Sequence, residues 1–283
     1  MNYSYSFRFL FVTLHRILYK MKKYVLDLTV KSVAHVHERY VLIRLTHHEK
    51  LPEMLPGQFV NIHVEGAPST FLRRPISIHF VDREHNELWL LVACVGEGTR
   101  RLAELKTGDT LNCVLPLGNG WSLPAHGGVL LIGGGVGVAP LLYQGHALKE
   151  QGITPTFLLG ARTQKDLLML SEFEKYGRVL ITTEDGSMGE KGFVTNHSVL
   201  QKEAFDMIQC CGPTPMMKAV ARYAREKDIT CEVSLENLMA CGVGACLCCV
   251  EKVFLSSETA QPTNVCVCKE GPVFNTKRLL WQD

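Results

Sequence analysis

Three cysteines near the end of the chain have the spacing of a metal-binding loop. Cys241, Cys246 and Cys249 form a C-x4-C-x2-C pattern, which is a pattern that holds [2Fe–2S] clusters. Gly242 and Gly244 lie between the first two cysteines, and glycine permits the positive-φ turns with which a backbone wraps around a cluster. The spacing therefore predicts a [2Fe–2S] site whose fourth thiolate comes from another part of the chain.

Two later cysteines, Cys266 and Cys268, could each supply that thiolate. Residues 264–269 are predicted to form a strand, and residues two apart on a strand face the same side. The spacing alone therefore does not choose between the two thiols. Cys248, between two of the predicted ligands, is expected to point away from the cluster.

Disulfides or a zinc site could also account for a count of 11 cysteines. No secretion signal is visible, and adjacent Cys248 and Cys249 fit a disulfide scaffold poorly. A Cys₄ zinc site formed by Cys246, Cys249, Cys266 and Cys268 is the stronger alternative. The loop of three cysteines with interleaved glycines favours iron–sulfur over zinc.

The length and composition predict a multi-domain globular protein. A chain of 283 residues suggests two or three domains, and 46% hydrophobic with 20% charged residues is an ordinary globular composition. The net charge of +2 gives no indication of a nucleic-acid partner. The sequence has no run of about 18 apolar residues, so no membrane-spanning helix is predicted.

Residues 1–20 are rich in apolar side chains, which Arg8, His15 and Arg16 interrupt. They lack the continuous apolar core and the small-residue cleavage site of a signal peptide. A helix lying on a membrane surface is one interpretation. The favoured one is that translation starts at Met21, so that residues 1–21 are an extension. The unpaired cysteines predict a reducing, cytoplasmic location.

Residues 22–122 contain six short alternating runs separated by turn residues, which predicts a six-stranded antiparallel β-barrel. The runs are Tyr24–Val30, Tyr40–Thr46, Phe59–Val64, Ile76–Val81, Leu88–Val95 and Thr110–Leu115.

Two segments of this barrel could bind phosphate. In Arg74–Ser77, proline favours an extended backbone, and the arginine and serine could contact a diphosphate. Gly96–Thr99 opens a helical pattern, and the free N–H groups of a helix N-terminus favour anions. Taken singly, the first segment could be a surface arginine pair before a strand, and the second an ordinary cap formed by Thr99.

Residues 123–230 alternate strand and helix patterns. An apolar strand at 128–132 leads into Gly133–Pro140 and then a predicted helix, Leu141–Glu150, which is a phosphate-binding arrangement. It is not a complete dinucleotide fingerprint, because Val138 replaces the third glycine and no acidic residue follows about 20 positions on. The alternation predicts a parallel sheet with ligands at the carboxyl ends of its strands. Glu184 lies at such an end. It could contact a ribose or simply form part of a turn, and the sequence is equally consistent with both interpretations.

The order of barrel, nucleotide domain and cluster module, at residues 231–283, resembles the ferredoxin-reductase superfamily. Within it, the chain is similar to the electron-transfer subunits of NAD-linked (class 1B) dihydroorotate dehydrogenase. The resemblance covers residues 22–283. Its motifs are Pro56–Phe59, Leu72–Ile78, Gly96–Thr99, Gly133–Pro140, Glu184–Ser187, Met239–Cys246 and Cys268–Phe274.

The resemblance implies three cofactor sites. FAD would contact Arg74, Pro75, Ile76, Ser77, Gly96, Gly98 and Thr99. NAD would contact Gly133, Gly134, Gly135, Gly137, Cys211, Gly212 and Pro213, with Cys211 near the nicotinamide. The [2Fe–2S] ligands would be Cys241, Cys246, Cys249 and Cys268, which places the fourth thiolate at Cys268 and not at Cys266.

The resemblance also implies a function. An FMN-containing partner subunit would oxidise dihydroorotate, and electrons would pass through [2Fe–2S] and FAD to NAD⁺ in pyrimidine (UMP) biosynthesis, in a heterotetramer of two plus two subunits. This chain shows no obvious acid–base pair for dihydroorotate, so the substrate-oxidising site is expected on the partner. No nucleic-acid or membrane partner is predicted.

Two alternatives remain open. One is a related flavin and iron–sulfur subunit of a sulfhydrogenase, a sulfite reductase or a bifurcating NADH–ferredoxin enzyme. The other is a zinc-stabilised nucleotide-binding regulator. Only 18 residues separate Cys249 from Cys268, fewer than in free plant-type ferredoxins, which favours the compact module of this subfamily.

Overall fold

The alternating runs at the start of the chain form one antiparallel sheet in a computed structural model, which describes residues 22–255 and 261–281. The predicted extension at residues 1–21 lies outside the described residues. The sheet has seven strands in the order β4-β3-β7-β1-β2-β6-β5. They are β1 (Tyr24–His37), β2 (Tyr40–Thr46), β3 (Phe59–Ile62), β4 (Arg74–Ser77), β5 (Phe80–Asp82), β6 (Glu87–Ala93) and β7 (Thr110–Leu117).

The sheet has one strand more than the six predicted, because the run Ile76–Val81 is divided. The N–H of Ile78 donates to the carbonyl of Gln58, next to β3, over 2.9 Å. The N–H of His79 donates to the carbonyl of Trp89, in β6, over 3.0 Å. The chain thus changes its partner strand between two adjacent residues, and this places β4 and β5 at opposite ends of the sheet.

The predicted parallel sheet is confirmed, with seven strands in the order β11-β10-β9-β8-β12-β13-β16. All its pairs are parallel except β13 with β16. The apolar strand β8 is buried at every residue. The strands are β8 (Val129–Gly134), β9 (Thr156–Ala161), β10 (Arg178–Thr183), β11 (Glu190–Lys191), β12 (Met207–Cys211), β13 (Thr230–Ser234) and β16 (Val273–Asn275).

Short helices connect the strands. The predicted helix at Leu141–Glu150 is confirmed. The sequence of residues 164–176 also has a helical pattern, but the helix there is shorter: a 3₁₀ turn at Gln164–Asp166 precedes it, and Met169 has a φ of 52°. A residue in this left-handed conformation interrupts a right-handed helix. The helices of these two parts of the chain are α1 (Glu97–Ala103), α2 (Leu141–Glu150), α3 (Leu170–Glu174), α4 (Val199–Lys202) and α5 (Thr214–Glu226).

The cysteine-rich segment is joined to the nucleotide sheet. A hairpin of β14 (Val250–Val253) and β15 (Thr263–Cys266) is followed by a short helix, α6 (Val267–Glu270). The strand predicted over residues 264–269 therefore ends at Cys266, and Cys268 lies on a helix. After α6 the chain adds β16 to the edge of the parallel sheet beside β13. Among the helices of the described residues, none is both long and apolar enough to cross a membrane.

Candidate functional site

The cysteine loop directs backbone N–H groups at its first thiol. The N–H groups of Val243, Ala245 and Cys246 lie 3.4, 3.3 and 3.4 Å from Sγ of Cys241. Burial raises the pKa of Cys241, but these hydrogen bonds outweigh it and lower that pKa to about 6. Gly242 has a φ of 71°, so the turn that aims these groups needs glycine's conformational freedom. The loop therefore stabilises a thiolate.

The fourth thiol of the predicted set meets the third at the start of α6. The backbone N–H of Cys268 donates to Sγ of Cys249 over 3.4 Å, and both residues are buried. Burial, and then a side-chain hydrogen bond to Cys249, raise the pKa of the Cys268 thiol to about 12. A side-chain hydrogen bond likewise joins Cys246 to Cys241. The four thiols are thus brought together as two contacting pairs.

The two remaining cysteines of this region make other contacts. The thiol of Cys266 donates to the carbonyl of Gly244 over 3.9 Å, so it lies beside the loop and, within the described residues, makes no hydrogen bond to another thiol. The thiol of Cys248 donates to the carbonyl of Leu238 over 3.7 Å. Four clustered thiols, with N–H groups directed at their sulfur atoms, form a donor set that fits a [2Fe–2S] cluster.

The two arginines at the start of β4, Arg73 and Arg74, have different surroundings. Arg73 donates to the carbonyls of Asn61 and Asn112, over 3.3 and 2.9 Å, and so holds β3 to β7. The Arg74 guanidinium has no hydrogen bond or ion pair with the described residues. A Cβ atom on Gly98 would lie 3.1 Å from Nε of Arg74. A guanidinium without a partner, next to a glycine in the first turn of a helix, can bind a diphosphate group.

The turn before α1 is shaped by Thr99. Its hydroxyl oxygen accepts hydrogen bonds from the N–H groups of Val95 and Gly96, over 3.1 and 3.0 Å. Gly96 is the N-cap of the helix and Thr99 its third residue, so the helix does not have Thr99 as its N-cap. A Cβ on Gly96 would meet no atom within 4 Å. The turn therefore leaves open space beside Gly96, whereas Gly98 packs closely against Thr70 and Arg74.

Two loops pack closely at the carboxyl end of the parallel sheet. A Cβ atom on Gly137 would lie 2.4 Å from the carbonyl oxygen of Cys211, and one on Gly134 would lie 2.6 Å from Sδ of Met216. Gly212 has a φ of 152°. Only glycine allows the segment at 133–140 to contact the segment at 211–213 in this way.

A cavity of about 600 Å³ opens at this edge of the sheet, which is within the usual range for small-molecule sites. The hairpin between β1 and β2 closes one side of it, and Arg39 there pairs with Asp166 over 2.9 Å. Nothing in the local sequence indicates that a turn of the first sheet reaches this cavity. Residues lining it include Arg39, Tyr40, Gly134, Gly135, Arg162, Glu184 and Pro213.

One acidic residue near this edge was not predicted. Oε1 of Glu236 lies 4.0 Å from Sγ of Cys211. Glu236 remains accessible to solvent, yet the surrounding protein atoms partly exclude water from its carboxyl group and so raise its pKa. Glu236 follows β13 at a carboxyl end of the sheet, where ligands of such sheets bind. This position is the feature by which the sequence could have indicated it.

Comparisons with known proteins bear on both halves of this site. The iron-sulfur cluster binding domain of dihydroorotate dehydrogenase B matches residues 236–280, and an oxidoreductase NAD-binding domain matches residues 131–222. A protein of Shouchella clausii, described as dihydroorotate dehydrogenase B (NAD(+)), electron transfer subunit, is 42% identical over 223 residues, covering 77% of this chain and 84% of that protein. The chain belongs to this family of electron transfer subunits.

A second member of the electron transfer subunit family and one solved structure are also similar to this chain. The one from Caldanaerobacter subterraneus is 38% identical over 226 residues, covering 80% of this chain and 87% of the relative. The structure of an NADH-dependent reduced ferredoxin-NADP oxidoreductase, described in connection with flavin-based electron bifurcation, is 34% identical with a TM-score of 0.79 and covers 90% of each chain. The family resemblance and the fold class predicted from the sequence are therefore confirmed.

Proposed function

We propose that this chain carries electrons from a partner dihydroorotate dehydrogenase subunit, through a [2Fe–2S] cluster and FAD, to NAD⁺ in pyrimidine biosynthesis. The observation that carries the proposal is the contact between the cysteine loop and the sheet that holds Arg74. A Cβ atom on Gly242 would lie only 2.7 Å from Nδ2 of Asn61, a residue of β3 that pairs with Pro75. The loop and the candidate flavin strand are thus one strand apart.

For the cluster, we assign Cys241, Cys246, Cys249 and Cys268 as the ligands. When bound, a [2Fe–2S] cluster accepts and releases one electron at a time. The N–H groups that point at Cys241 stabilise negative charge on its sulfur, and hydrogen bonds to ligand sulfurs are a main means by which proteins tune such sites. Cys266 is left as a neighbouring thiol that does not ligate.

For FAD, we assign the diphosphate to the free guanidinium of Arg74 and to the open turn of Gly96, Gly98 and Thr99. When bound, a flavin exchanges electrons singly with a cluster and in pairs with a nicotinamide. The remaining residues of β4 would contact the rest of the flavin, on the strand next to the one that the cysteine loop touches. These residues are Pro75, Ile76 and Ser77.

For NAD, we assign the 600 Å³ cavity. The glycine loop would receive the diphosphate, and Glu184 would accept a hydrogen bond from a ribose hydroxyl. Cys211 and Glu236 would lie at the nicotinamide end. When bound, NAD⁺ accepts a hydride. The glycine loop residues are Gly133, Gly134, Gly135 and Gly137, and the facing loop contributes Gly212 and Pro213.

The surface around the cysteine loop fits a protein partner. Leu238, Val243 and Leu247 are 87%, 40% and 64% exposed, and they lie in the same segment of the chain as the exposed Cys246. A cluster of exposed apolar side chains marks an interaction surface, and electron transfer needs a close partner at this place. We propose that an FMN-containing subunit that oxidises dihydroorotate covers it, in a cytoplasmic assembly of two plus two subunits.

We further propose that residues 22–122 form the FAD unit, 123–230 the NAD unit and 231–283 the cluster unit. The cluster unit shares β13 and β16 with the parallel sheet. Because the two units share this sheet, the distance between the cluster and the nicotinamide end of the NAD site would be fixed.

A second function has a specific observation in its favour. The match at 34% identity over 90% of both chains is to an NADH-dependent reduced ferredoxin-NADP oxidoreductase, so a subunit of a bifurcating enzyme would have the same fold. The two functions differ in the partner. A dihydroorotate dehydrogenase partner transfers electrons from dihydroorotate, and a bifurcating partner does not.

The test is a purification of the full chain together with its partner, without oxygen. Absorption bands of flavin, with two irons and two labile sulfides per chain as one [2Fe–2S] cluster requires, are expected, together with dihydroorotate-dependent reduction of NAD⁺. Zinc without flavin or sulfide would overturn the proposal in favour of a zinc-stabilised protein. Equal oxidation of dihydroorotate by the isolated chain and by the complex would contradict the assignment of that reaction to the partner.

A further inference from the structure

One arginine of the first sheet lies in the wall of the nucleotide cavity. Arg39 is at the tip of the hairpin between β1 and β2, in the proposed FAD unit. Apart from Tyr40, the other residues that line the cavity belong to the proposed NAD unit. The Arg39 side chain remains accessible, with 55% of it exposed. The FAD unit therefore supplies a cation that a ligand in this cavity can reach.

The backbone and the guanidinium of Arg39 are both held in place. The Arg39 N–H donates to Nδ1 of His37 over 3.0 Å, and the Arg39 carbonyl accepts from the N–H of Cys94 over 2.8 Å. Nη2 donates to Oδ1 of Asp166 over 2.9 Å. Asp166 is fixed in turn, because its Oδ2 accepts from the N–H and the hydroxyl of Thr163, over 3.2 and 2.9 Å. The guanidinium is thus oriented before a ligand binds.

The ion pair with Asp166 leaves most of the guanidinium unused. An arginine side chain has five N–H donors, and within the described part of the chain this guanidinium has one hydrogen-bond partner, Asp166. The guanidinium carbon also lies 5.8 Å from the centre of the Tyr40 ring. The remaining donors can form a two-pronged contact with a second anion, and the oxygens of a phosphate group match that geometry.

The charges of the cavity wall give this arginine a specific role. Two arginines, Arg39 and Arg162, and two carboxylates, Asp166 and Glu184, line the cavity. Without Arg39 the wall would hold two carboxylates against one guanidinium, and the repulsion between like charges would disfavour a diphosphate. With Arg39 the formal charges balance, so the N–H groups of the glycine loop can bind an anion without opposition from the wall.

We propose that Arg39 is a binding residue for the dinucleotide, and that its free N–H donors contact the diphosphate that the glycine loop receives. The inference rests on the NAD site proposed above. Asp166 keeps the guanidinium in place from the other side. The Arg39 carbonyl is bonded to Cys94, two residues before Gly96, so a bound dinucleotide would link the NAD unit to the turn assigned to the FAD diphosphate.

The experiment measures NADH oxidation by an artificial electron acceptor, in the full chain purified with its partner subunit and both cofactors. Arg39→Gln removes the charge and keeps a polar side chain, and Arg39→Lys keeps the charge without the planar fork. Asp166→Asn removes the charge of the ion pair, while its amide oxygen can still accept from Thr163. Arg178→Gln is the control, because Arg178 pairs with Glu203 over 2.6 Å and begins β10 at the end opposite the cavity.

We expect Arg39→Gln to raise the KM for NADH about tenfold or more, as the loss of a charge-assisted hydrogen bond implies. Its kcat should change little, because the contact is made equally before and during hydride transfer. Its KM should also depend less on salt concentration than that of the native complex, and Arg39→Lys should recover part of the loss. Asp166→Asn should change KM by a few-fold at most, and Arg178→Gln should match the native complex.

Equal increases of KM in Arg39→Gln and Asp166→Asn would show that the ion pair only joins the two units, and this result would overturn the phosphate contact. An unchanged KM in Arg39→Gln would overturn it as well. A native complex that lacks flavin or does not oxidise NADH would instead contradict the proposed function. The two failures are therefore distinguishable.

Discussion

Sγ of Cys211 lies 4.0 Å from Oε1 of Glu236, and this contact joins the ends of two neighbouring strands. Cys211 ends β12, and Glu236 follows β13. Burial, and then the nearby Glu236, raise the pKa of the Cys211 thiol well above its ordinary value, so this thiol is protonated at neutral pH. The titratable member of the pair is therefore the carboxyl group.

Glu236→Gln should remove a pH dependence from NADH oxidation. The pKa of Glu236 is raised by its surroundings, so in the native chain this carboxyl loses its proton above the ordinary carboxyl range, and we expect the rate to rise with pH as it does so. Glutamine keeps the shape and cannot titrate. Reduction of an artificial electron acceptor by NADH, measured from acidic to neutral pH, checks this. Glu251→Gln, which alters a carboxylate that contacts Asn237, is the control, and an unchanged profile in Glu236→Gln would contradict the prediction.

Cys268→Ser should abolish the cluster, and Cys266→Ser should retain it. Cys268 contacts Cys249 through both its N–H and its thiol, whereas the Cys266 thiol contacts only the carbonyl of Gly244 among the hydrogen-bond partners of the described residues. Iron and labile sulfide are assayed per flavin in both variants. Loss of iron from Cys266→Ser with retention in Cys268→Ser would show that the ligand is the other cysteine.

Arg74→Leu should weaken FAD binding by at least about tenfold, because it removes a charge-assisted hydrogen bond to phosphate. The guanidinium has no partner to lose within the described chain, so folding should be little affected. Arg101→Leu is a matched control: this arginine lies on α1 but contacts Glu65 and Glu104. Flavin fluorescence on dilution measures the release of FAD. Equal release from both variants would remove Arg74 from the diphosphate site.

Buried His79 should make the fold sensitive to acid. Its Nδ1–H donates to the carbonyl of Ala139 over 2.8 Å, which joins the first sheet to the glycine loop. Burial lowers the pKa of His79 from 6.5 to about 4, so between these values the unfolded chain binds a proton that the folded chain does not. Stability contributed by neutral His79 is therefore present above about pH 6.5 and is lost as the pH falls towards 4, by about 3 kcal/mol in all.

A His79→Gln variant tests whether His79 causes the loss of stability at acidic pH. We expect its urea midpoint to fall less than that of the native chain between about pH 7 and pH 5, even if it is lower at neutral pH. His85→Gln is the control, because His85 is exposed and its pKa is raised by Asp82. An equal loss of stability in the native chain and in His79→Gln would show that another group controls the acid response.

The cysteine loop, the glycine-rich segment and their order along the chain could be predicted because each depends on neighbouring residues. The C-x4-C-x2-C spacing and its glycines define a loop within nine residues. An apolar strand before a glycine turn fixes the local backbone at Gly133–Pro140 in the same way. Local patterns of this kind need no knowledge of distant contacts, and the sequence alone was sufficient for the fold class and the family.

Other features depend on which distant segments meet, and only the tertiary structure decided them. The division of the run Ile76–Val81 follows from pairing with two separate strands. The different surroundings of Cys266 and Cys268 follow from the start of a helix where a strand was predicted. The contacts of Asn61 with Cys241 and of Glu236 with Cys211 join residues that are far apart in the sequence or on different strands. Hydrogen bonds and packing across the fold set these contacts, and the spacing of residues along the chain does not record them.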